Sequence, residues 1–421
     1  MSTDTKVAKW RKRNVILVIL WFVFLISYLD RVNFAVTLPV LSKELNFSPS
    51  QSGMIMSAFF AGYALLQIVG GIFSDKLGAG RMITIALTWW SAFTAFTGMV
   101  GSFSSMVIVR LLFGAGEALH PPAAFKLLSS WFPKEERARA NAWNLCSAAL
   151  GPAFAPLLVV GIMQTWGWRS VFFVFAIPGL LVAVATWLYV RNTPEEHPSI
   201  TQEELAEIRS TSVTAAQNAT PVMTLGEAVK VRNLWLMAVV YFAFGVTFWG
   251  FISWLPSYLV KERGFTMIKM GITASIPYFT AFVAMLVAGY ITDALFKNRK
   301  KQLVTGLYIF AALFMYLAYA TSEPNLCVLY LSLTAACLFT SMSLFWALTM
   351  DLLPSSVMGF SSGFINTGAQ IGGFIAPTVI GFLIEKMGGS FAAGFTFMEI
   401  SLLAAAVVIM FIKQNPDEAT T

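Results

Sequence analysis

Gly71-Ile-Phe-Ser-Asp75-Lys-Leu-Gly78-Ala-Gly-Arg81 interrupts a chain that is otherwise apolar on both sides of it. Residues 51–73 lead into this stretch and 82–101 lead out of it, and each run has the ~20 apolar residues that a helix needs to cross hydrocarbon. Glycines with one acid and two bases between such runs read as a tight turn at a membrane face. The alternation recurs along the chain, and the spans read as roughly 14–38, 51–73, 82–101, 105–129, 137–163, 170–190, 234–258, 268–291, 302–320, 326–350, 357–384 and 390–412. An all-α membrane protein of about twelve transmembrane helices is expected.

Composition agrees. Hydrophobic residues make up 57% of the 421 and charged residues 12%, about half the charged share of a soluble domain. The basic stretch Lys6 to Arg13 enters the first apolar run without a small-residue cleavage site, so the first helix is expected to stay. Cys146, Cys327 and Cys337 lie in apolar segments without metal-ligand spacing, which suggests neither metal nor disulfide. No P-loop and no nucleophile elbow is present, so neither a cofactor nor an enzymatic conversion is implied.

The net charge of +7 has an explanation other than nucleic acid. With the N-terminus placed inside, 19 of the 28 Lys and Arg residues fall on the cytoplasmic side, 6 on the other and 3 within helices. That bias predicts both termini in the cytoplasm. The longest polar stretch, residues 191–232, divides the chain into residues 1–190 and 233–421. It reads as a linker, and Thr201 with Glu204 has capping-box spacing for a short amphipathic helix.

The two parts echo one another. Gly53, Gly71 and Asp75 recur 218 residues later as Gly271, Gly289 and Asp293, and each aspartate precedes a basic cluster. Asn144 stands seven residues before Gly151, as Asn366 does before Gly373, an offset of 222. Two pseudo-repeated six-helix bundles are therefore expected.

On these residues the chain resembles the major facilitator superfamily. Gly71 to Arg81 resembles its signature between helices 2 and 3, Gly289 to Lys300 its degenerate second copy, and Arg110-Leu-Leu-Phe-Gly114-Ala-Gly116 its helix 4 motif. Asp75, Arg81 and Asp293 are then expected to gate the cytoplasmic face. More narrowly, Tyr28-Leu-Asp30-Arg31-Val-Asn33, Gly116-Glu117-Ala118, Trp131 to Arg137, Pro194 to Pro198 and Trp254-Leu-Pro-Ser-Tyr258 resemble the anion:cation symporter branch, which carries sugar acids and other carboxylates. That resemblance implies substrate contacts at Tyr28, Arg31, Tyr63, Ser343, Trp346 and Asn366. Two positions depart from the sugar-acid pattern: Ala148 stands where glutamine is usual, and Tyr241 replaces an amide.

Ionisable groups within spans are costly and become functional candidates. They are Asp30, Arg31, Arg110, Glu117 and Lys126, with His120 and Glu399. Asp30 lies ~25 Å up helix 1 and Arg110 ~8 Å below the outer end of helix 4, so their depths nearly coincide and a pair is expected. Glu117 follows Arg110 on the same helical face, ~10 Å deeper. In this reading Arg31 meets a substrate carboxylate, while Asp30 and Glu117 take protons under the control of Arg110. The competing reading makes these charges structural ion pairs between helices 1 and 4. His120 is placed to tune Glu117 or to read a second acidic group, Lys126 to snorkel toward the cytoplasmic side, and Asn144 and Tyr241 to line the site.

The expected function is import of a small organic anion, a sugar acid or another carboxylate, with protons, by a monomer in a bacterial inner membrane. An exporter of drugs or metabolites on the same fold, or a transporter-like receptor, are the alternatives.

Overall fold

A computed structural model describes residues 11–214, 225–295, 299–353 and 357–413. The helices of the first part are α1 (Lys12–Glu44), α2 (Pro49–Leu77), α3 (Ala79–Thr97), α4 (Phe103–Glu117), α5 (His120–Trp131), α6 (Lys134–Trp166) and α7 (Trp168–Tyr189). Two short helices follow, α8 (Gln202–Thr214) and α9 (Leu225–Ala228). The second part comprises α10 (Arg232–Lys261), α11 (Met267–Leu295), α12 (Lys300–Ala320), α13 (Pro324–Leu352), α14 (Met358–Lys386) and α15 (Ala392–Met410).

Most helices overrun the apolar windows that announce them, since hydropathy marks hydrocarbon while the hydrogen-bond ladder continues into the interface. α1 runs through Pro39 to Glu44. α2 begins at a capping box in which the Ser48 side chain accepts from Gln51 N–H and the Gln51 side chain accepts from Ser48 N–H. Among the described residues ten helical stretches are long and apolar enough to cross a membrane, with α4 and α5 counted together, and α2, bent by 49° between Gln67 and Val69, makes an eleventh. The span expected over 105–129 is broken, because Pro121 and Pro122 have no N–H to donate to the carbonyls of Glu117 and Ala118.

Packing repeats between the two parts. α1 lies against α6 as α10 does against α14, α2 against α4 as α11 against α13, and α3 against α7 as α12 against α15. α2 meets α14 and α6 meets α11 across the two sets. α10 is largely buried, whereas α7, α12 and α15 expose most of their length and form the periphery.

Several polar contacts join the sets at the end where α1 finishes. Ser48 Oγ and Ser50 N–H donate to Glu385 Oε2 at 2.8 and 3.0 Å, Thr378 Oγ1 donates to Ser57 Oγ at 2.8 Å, and Lys261 Nζ reaches Ser42 Oγ at 3.3 Å. At the opposite end α8 docks on the start of α1. Thr201 Oγ1 accepts from Glu204 N–H at 3.2 Å as the capping spacing predicts, but the Glu204 carboxylate instead accepts from Lys12 and Arg13 N–H, each at 3.0 Å.

Candidate functional site

Arg31 and Glu117 meet in the interior. Arg31 Nε donates to Glu117 Oε1 at 2.6 Å, Nη2 lies 2.5 Å from that oxygen in the ion pair, and Ser27 Oγ, one turn earlier on α1, donates to the same oxygen at 2.5 Å. The carboxylate is fully buried, and its Oε2 has no hydrogen-bond partner among the described residues. Four rings surround the guanidinium carbon, with centroids at 5.0 Å for Tyr28 and 5.2 Å for Phe59, Tyr63 and Trp249. Ring faces stabilise a cation without neutralising it. One carboxylate therefore carries the whole charge balance of Arg31, and a second anion can take its place only if that carboxylate is neutralised or turned away.

The expected pair between Asp30 and Arg110 is not formed. Arg110 instead stacks on Phe34, Phe113 and Phe59, at 4.8, 4.7 and 5.5 Å, with Nε unpartnered among the described residues. Asp30 Oδ1 accepts from Asn33 Nδ2 at 3.1 Å, while Oδ2 has no partner there; Trp90 and Thr94 of α3 lie near the carboxyl. Depth along a helix fixes a level but not a direction. Successive residues turn by ~100°, so Asp30 and Arg31 point different ways, and Arg31 is the one that faces α4. Phe59 lies against both guanidiniums.

His120 is buried one turn beyond Glu117, packed edge-on against Phe24 and Trp90 at 4.5 and 5.8 Å, with Nε2 unpartnered among the described residues. Asn144 on α6 is likewise buried, and neither side-chain atom has a partner there. Buried polar atoms are seldom left unmatched. Asp30, Arg110, Glu117, His120 and Asn144 thus concentrate unsatisfied hydrogen-bonding capacity in one bundle.

The second set of helices supplies the facing wall. Trp249 of α10 touches Phe60 at 4.9 Å as well as Arg31 at 5.2 Å. Trp346 Nε1 donates to Tyr241 OH at 2.9 Å, and Tyr241 stacks between Phe244 and Phe345 at 5.4 and 4.8 Å. Where an amide was expected, Tyr241 makes an aromatic wall. Ser343, almost one turn before Trp346, is exposed, and Asn366 on α14 is half-buried. The paired glycines earn their places by contact: a Cβ at Gly151 would lie 2.6 Å from the Tyr28 Cβ, and one at Gly373 would lie 2.6 Å from the Phe60 ring.

Among the gating candidates, Asp75 accepts from Lys126 Nζ at 2.7 Å, and the same ammonium donates to Ser74 O at 3.1 Å. Lys126 is thus an ion-pair partner at the helix end. Arg81 lines a separate cavity at the start of α3. Gly78 adopts φ +90°, and its Cα faces Asn192, whose Oδ1 accepts from Gly80 N–H at 3.0 Å. The Asp293 side chain lies outside the described residues.

Sequence reasoning missed Ser27 and Phe59. Ser27 was findable, since it stands four residues before Arg31 on the same helical face. Phe59 had no distinguishing signal among 37 phenylalanines.

A family model for the Major Facilitator Superfamily matches residues 20–377. The chain belongs to that superfamily. It is accordingly a multi-pass membrane transporter and not an enzyme. A probable sulfoacetate transporter of Cupriavidus necator is 31% identical over 97% of this chain and 96% of its own length. A probable galactarate/D-glucarate transporter of Escherichia coli is 30% identical over 98% and 97%. The crystal structure of a D-xylose-proton symporter superposes with a TM-score of 0.74 at 16% identity, covering 96% of this chain and 99% of that one, which shows the shared fold.

Proposed function

We propose that this major facilitator protein is a symporter that carries a small organic anion together with protons by alternating access. The observation that carries the reading is the single carboxylate, Glu117, bound to a guanidinium that is otherwise surrounded by rings. A proton on Glu117 removes the charge that holds Arg31 and leaves the guanidinium free for an incoming carboxylate or sulfonate. Loss of that proton returns Arg31 to Glu117 and expels the anion. Proton and anion therefore favour one another's binding, the linkage that symport requires. Asp30, whose Oδ2 is buried without a partner among the described residues, is the second proton candidate. Tyr28, Tyr63, Ser343, Trp346 and Asn366 are the further substrate contacts.

Architecture supports the same reading. α3 is less apolar than its neighbours but packs between α4 and α7 as α12 packs between α13 and α15, so it serves as the twelfth span. Residues 1–190 and 233–421 form the two halves, with 191–232 between them. The excess of Lys and Arg on the side of the termini supports an orientation with both termini in the cytoplasm of a bacterial inner membrane. Ser48, Ser50 and Ser57 then bind Glu385 and Thr378 on the outer side, so that the outer gate is closed. The relatives' names concern a sulfonated acid and two sugar diacids, which share an anionic group suited to Arg31.

Uptake into proteoliposomes under an imposed pH gradient, acid outside, tests the proposal on a panel of radiolabelled sulfonates, aldonates and aldarates. Accumulation of one class, abolished by a protonophore, is expected. Accumulation only with the gradient reversed would mark an exporter, and saturable binding without accumulation would mark a receptor.

A further inference from the structure

Two cavities outside the central site stand at equivalent places in the two halves. The first, about 420 Å³, opens between the start of α3 and the end of α7 and is lined by Arg81, Thr84, Trp187, Arg191, Asn192 and Glu196, among others. The second, about 540 Å³, opens on the start of α12 and is lined by Arg299, Gln302, Leu303, Gly306, Leu307 and Phe310. Arg81 and Arg299 are 218 residues apart, as are Thr84 and Gln302, the offset that relates Gly71 to Gly289 and Asp75 to Asp293. Internal duplication therefore kept a basic residue at the mouth of both cavities, although little else of the lining is shared.

Their chemistry is amphipathic. Trp187, Leu188 and Phe310 are exposed on α7 and α12, two of the peripheral helices, so each cavity continues onto the surface that faces lipid tails. The arginines stand at the polar boundary: Arg81 lies in the first turn of α3, Arg191 two residues past the end of α7, and Arg299 just before α12. No ion pair joins Arg81, Arg191 or Arg299 to a carboxylate among the described residues. Among the described residues Glu196 is the one acidic group lining the first cavity, and its Oε2 already accepts from Asn192 N–H at 3.2 Å. Arg191 Nη1 donates to the Val190 carbonyl at 3.1 Å, which leaves most of its donors for another acceptor.

We propose that these cavities are a duplicated pair of binding sites for the headgroups of anionic phospholipids, the phosphate meeting Arg81 and Arg191 in the first half and Arg299 in the second, with the acyl chains along Trp187 and Phe310. Basic pockets between helices at the cytoplasmic boundary suit such headgroups. A guanidinium meets a phosphate through paired donors, which a zwitterionic lipid offers with a competing cation of its own. The assignment to the inner leaflet rests on the orientation proposed above; the binding itself does not depend on transport.

The test uses the full chain in neutral detergent, with thermal unfolding followed on addition of phosphatidylglycerol, phosphatidylcholine or soluble glycerol phosphate. Phosphatidylglycerol should raise the midpoint by several degrees and the other two should not. The rise should fall by more than half in Arg81→Gln/Arg191→Gln, and by a smaller amount in Arg299→Gln. Equal rises with phosphatidylcholine, or the full rise with glycerol phosphate, would overturn the lipid assignment, as would an undiminished rise in the variants. Photoactivatable phosphatidylglycerol on the unaltered chain covers the case of variants that do not fold. Label is expected in peptides containing residues 80–84, 186–196 and 299–310, and label spread evenly over the lipid-facing helices would contradict the proposal. Loss of transport with intact lipid binding would count against the symport reading alone.

Discussion

Arg31 and Glu117 form a buried ion pair through one carboxylate oxygen, which accepts from Arg31 Nε at 2.6 Å and lies 2.5 Å from Nη2, while the other oxygen of Glu117 is buried without a partner among the described residues. Breaking a buried pair by removing one member leaves the other charge uncompensated, at a cost of ~3–5 kcal/mol. Arg31→Ala should therefore lower the thermal midpoint of the purified protein and abolish its stabilisation by substrate anions. A variant that keeps both the midpoint and the ligand-induced shift would remove Arg31 from the site.

Trp249 reaches Arg31 from the other half of the molecule. A desolvated cation–π contact is worth ~1–2 kcal/mol, so Trp249→Ala should weaken anion binding by roughly 5- to 30-fold. Trp249→Phe should recover most of that. Titration of the anion by tryptophan-independent calorimetry measures both, and equal affinities for the two variants would reduce Trp249 to packing.

Gly151 brings α6 against Tyr28 so closely that an added Cβ would sit 2.6 Å from the Tyr28 Cβ and 3.0 Å from the Leu29 nitrogen. Gly151→Ala must displace α1 backbone, with an overpacking cost of about 1–3 kcal/mol. A lowered unfolding midpoint with impaired binding is expected, because α1 carries Arg31. Gly161, which has open space around it, should accept alanine without either effect.

The linker has its own pH response. His197 lies outside the membrane spans, stacked edge-on against Tyr189 and Trp131 at 4.9 and 5.8 Å, and its Nδ1 accepts from Ser199 N–H at 3.3 Å. Burial, with Lys12 and Arg191 nearby, holds its pKa below the ordinary histidine value. A depressed value means that the contribution of the neutral ring is fully present above ~6.5 and is lost as pH falls through the lowered folded value. Hydrogen exchange at residues 193–200 should accelerate on acidification in the wild type more than in His197→Gln. Identical pH profiles would exclude the ring as the cause.

Much of this was legible in the sequence because hydrocarbon imposes a coarse code. Apolar runs gave the helices, and the glycine and aspartate echoes anticipated the recurring packing of α2 with α4 and α11 with α13. The identity of the buried charges was equally readable, since Asp30, Arg31, Arg110 and Glu117 stand out in apolar surroundings. Their pairing was not. Depth estimates matched Asp30 to Arg110, but the turn of α1 about its axis sends Arg31 to Glu117, and that angle is set by contacts such as Gly151 against Tyr28. Aromatic neighbours were hidden for a compositional reason: Phe59 and Trp249 look like every other lipid-phase ring until a guanidinium is found 5.2 Å away.

The central claim is that a proton on Glu117 and an anion on Arg31 are bound together. Proton uptake on adding the transported anion to purified protein in weakly buffered detergent, followed with a pH indicator near neutrality, tests it most directly. The account predicts net uptake on anion binding to the wild type. In Glu117→Gln it predicts anion binding tighter by about tenfold, equivalent to ~1.4 kcal/mol, with that uptake reduced or lost. Saturable anion binding with no proton uptake in the wild type, or with the same uptake in Glu117→Gln, would contradict it.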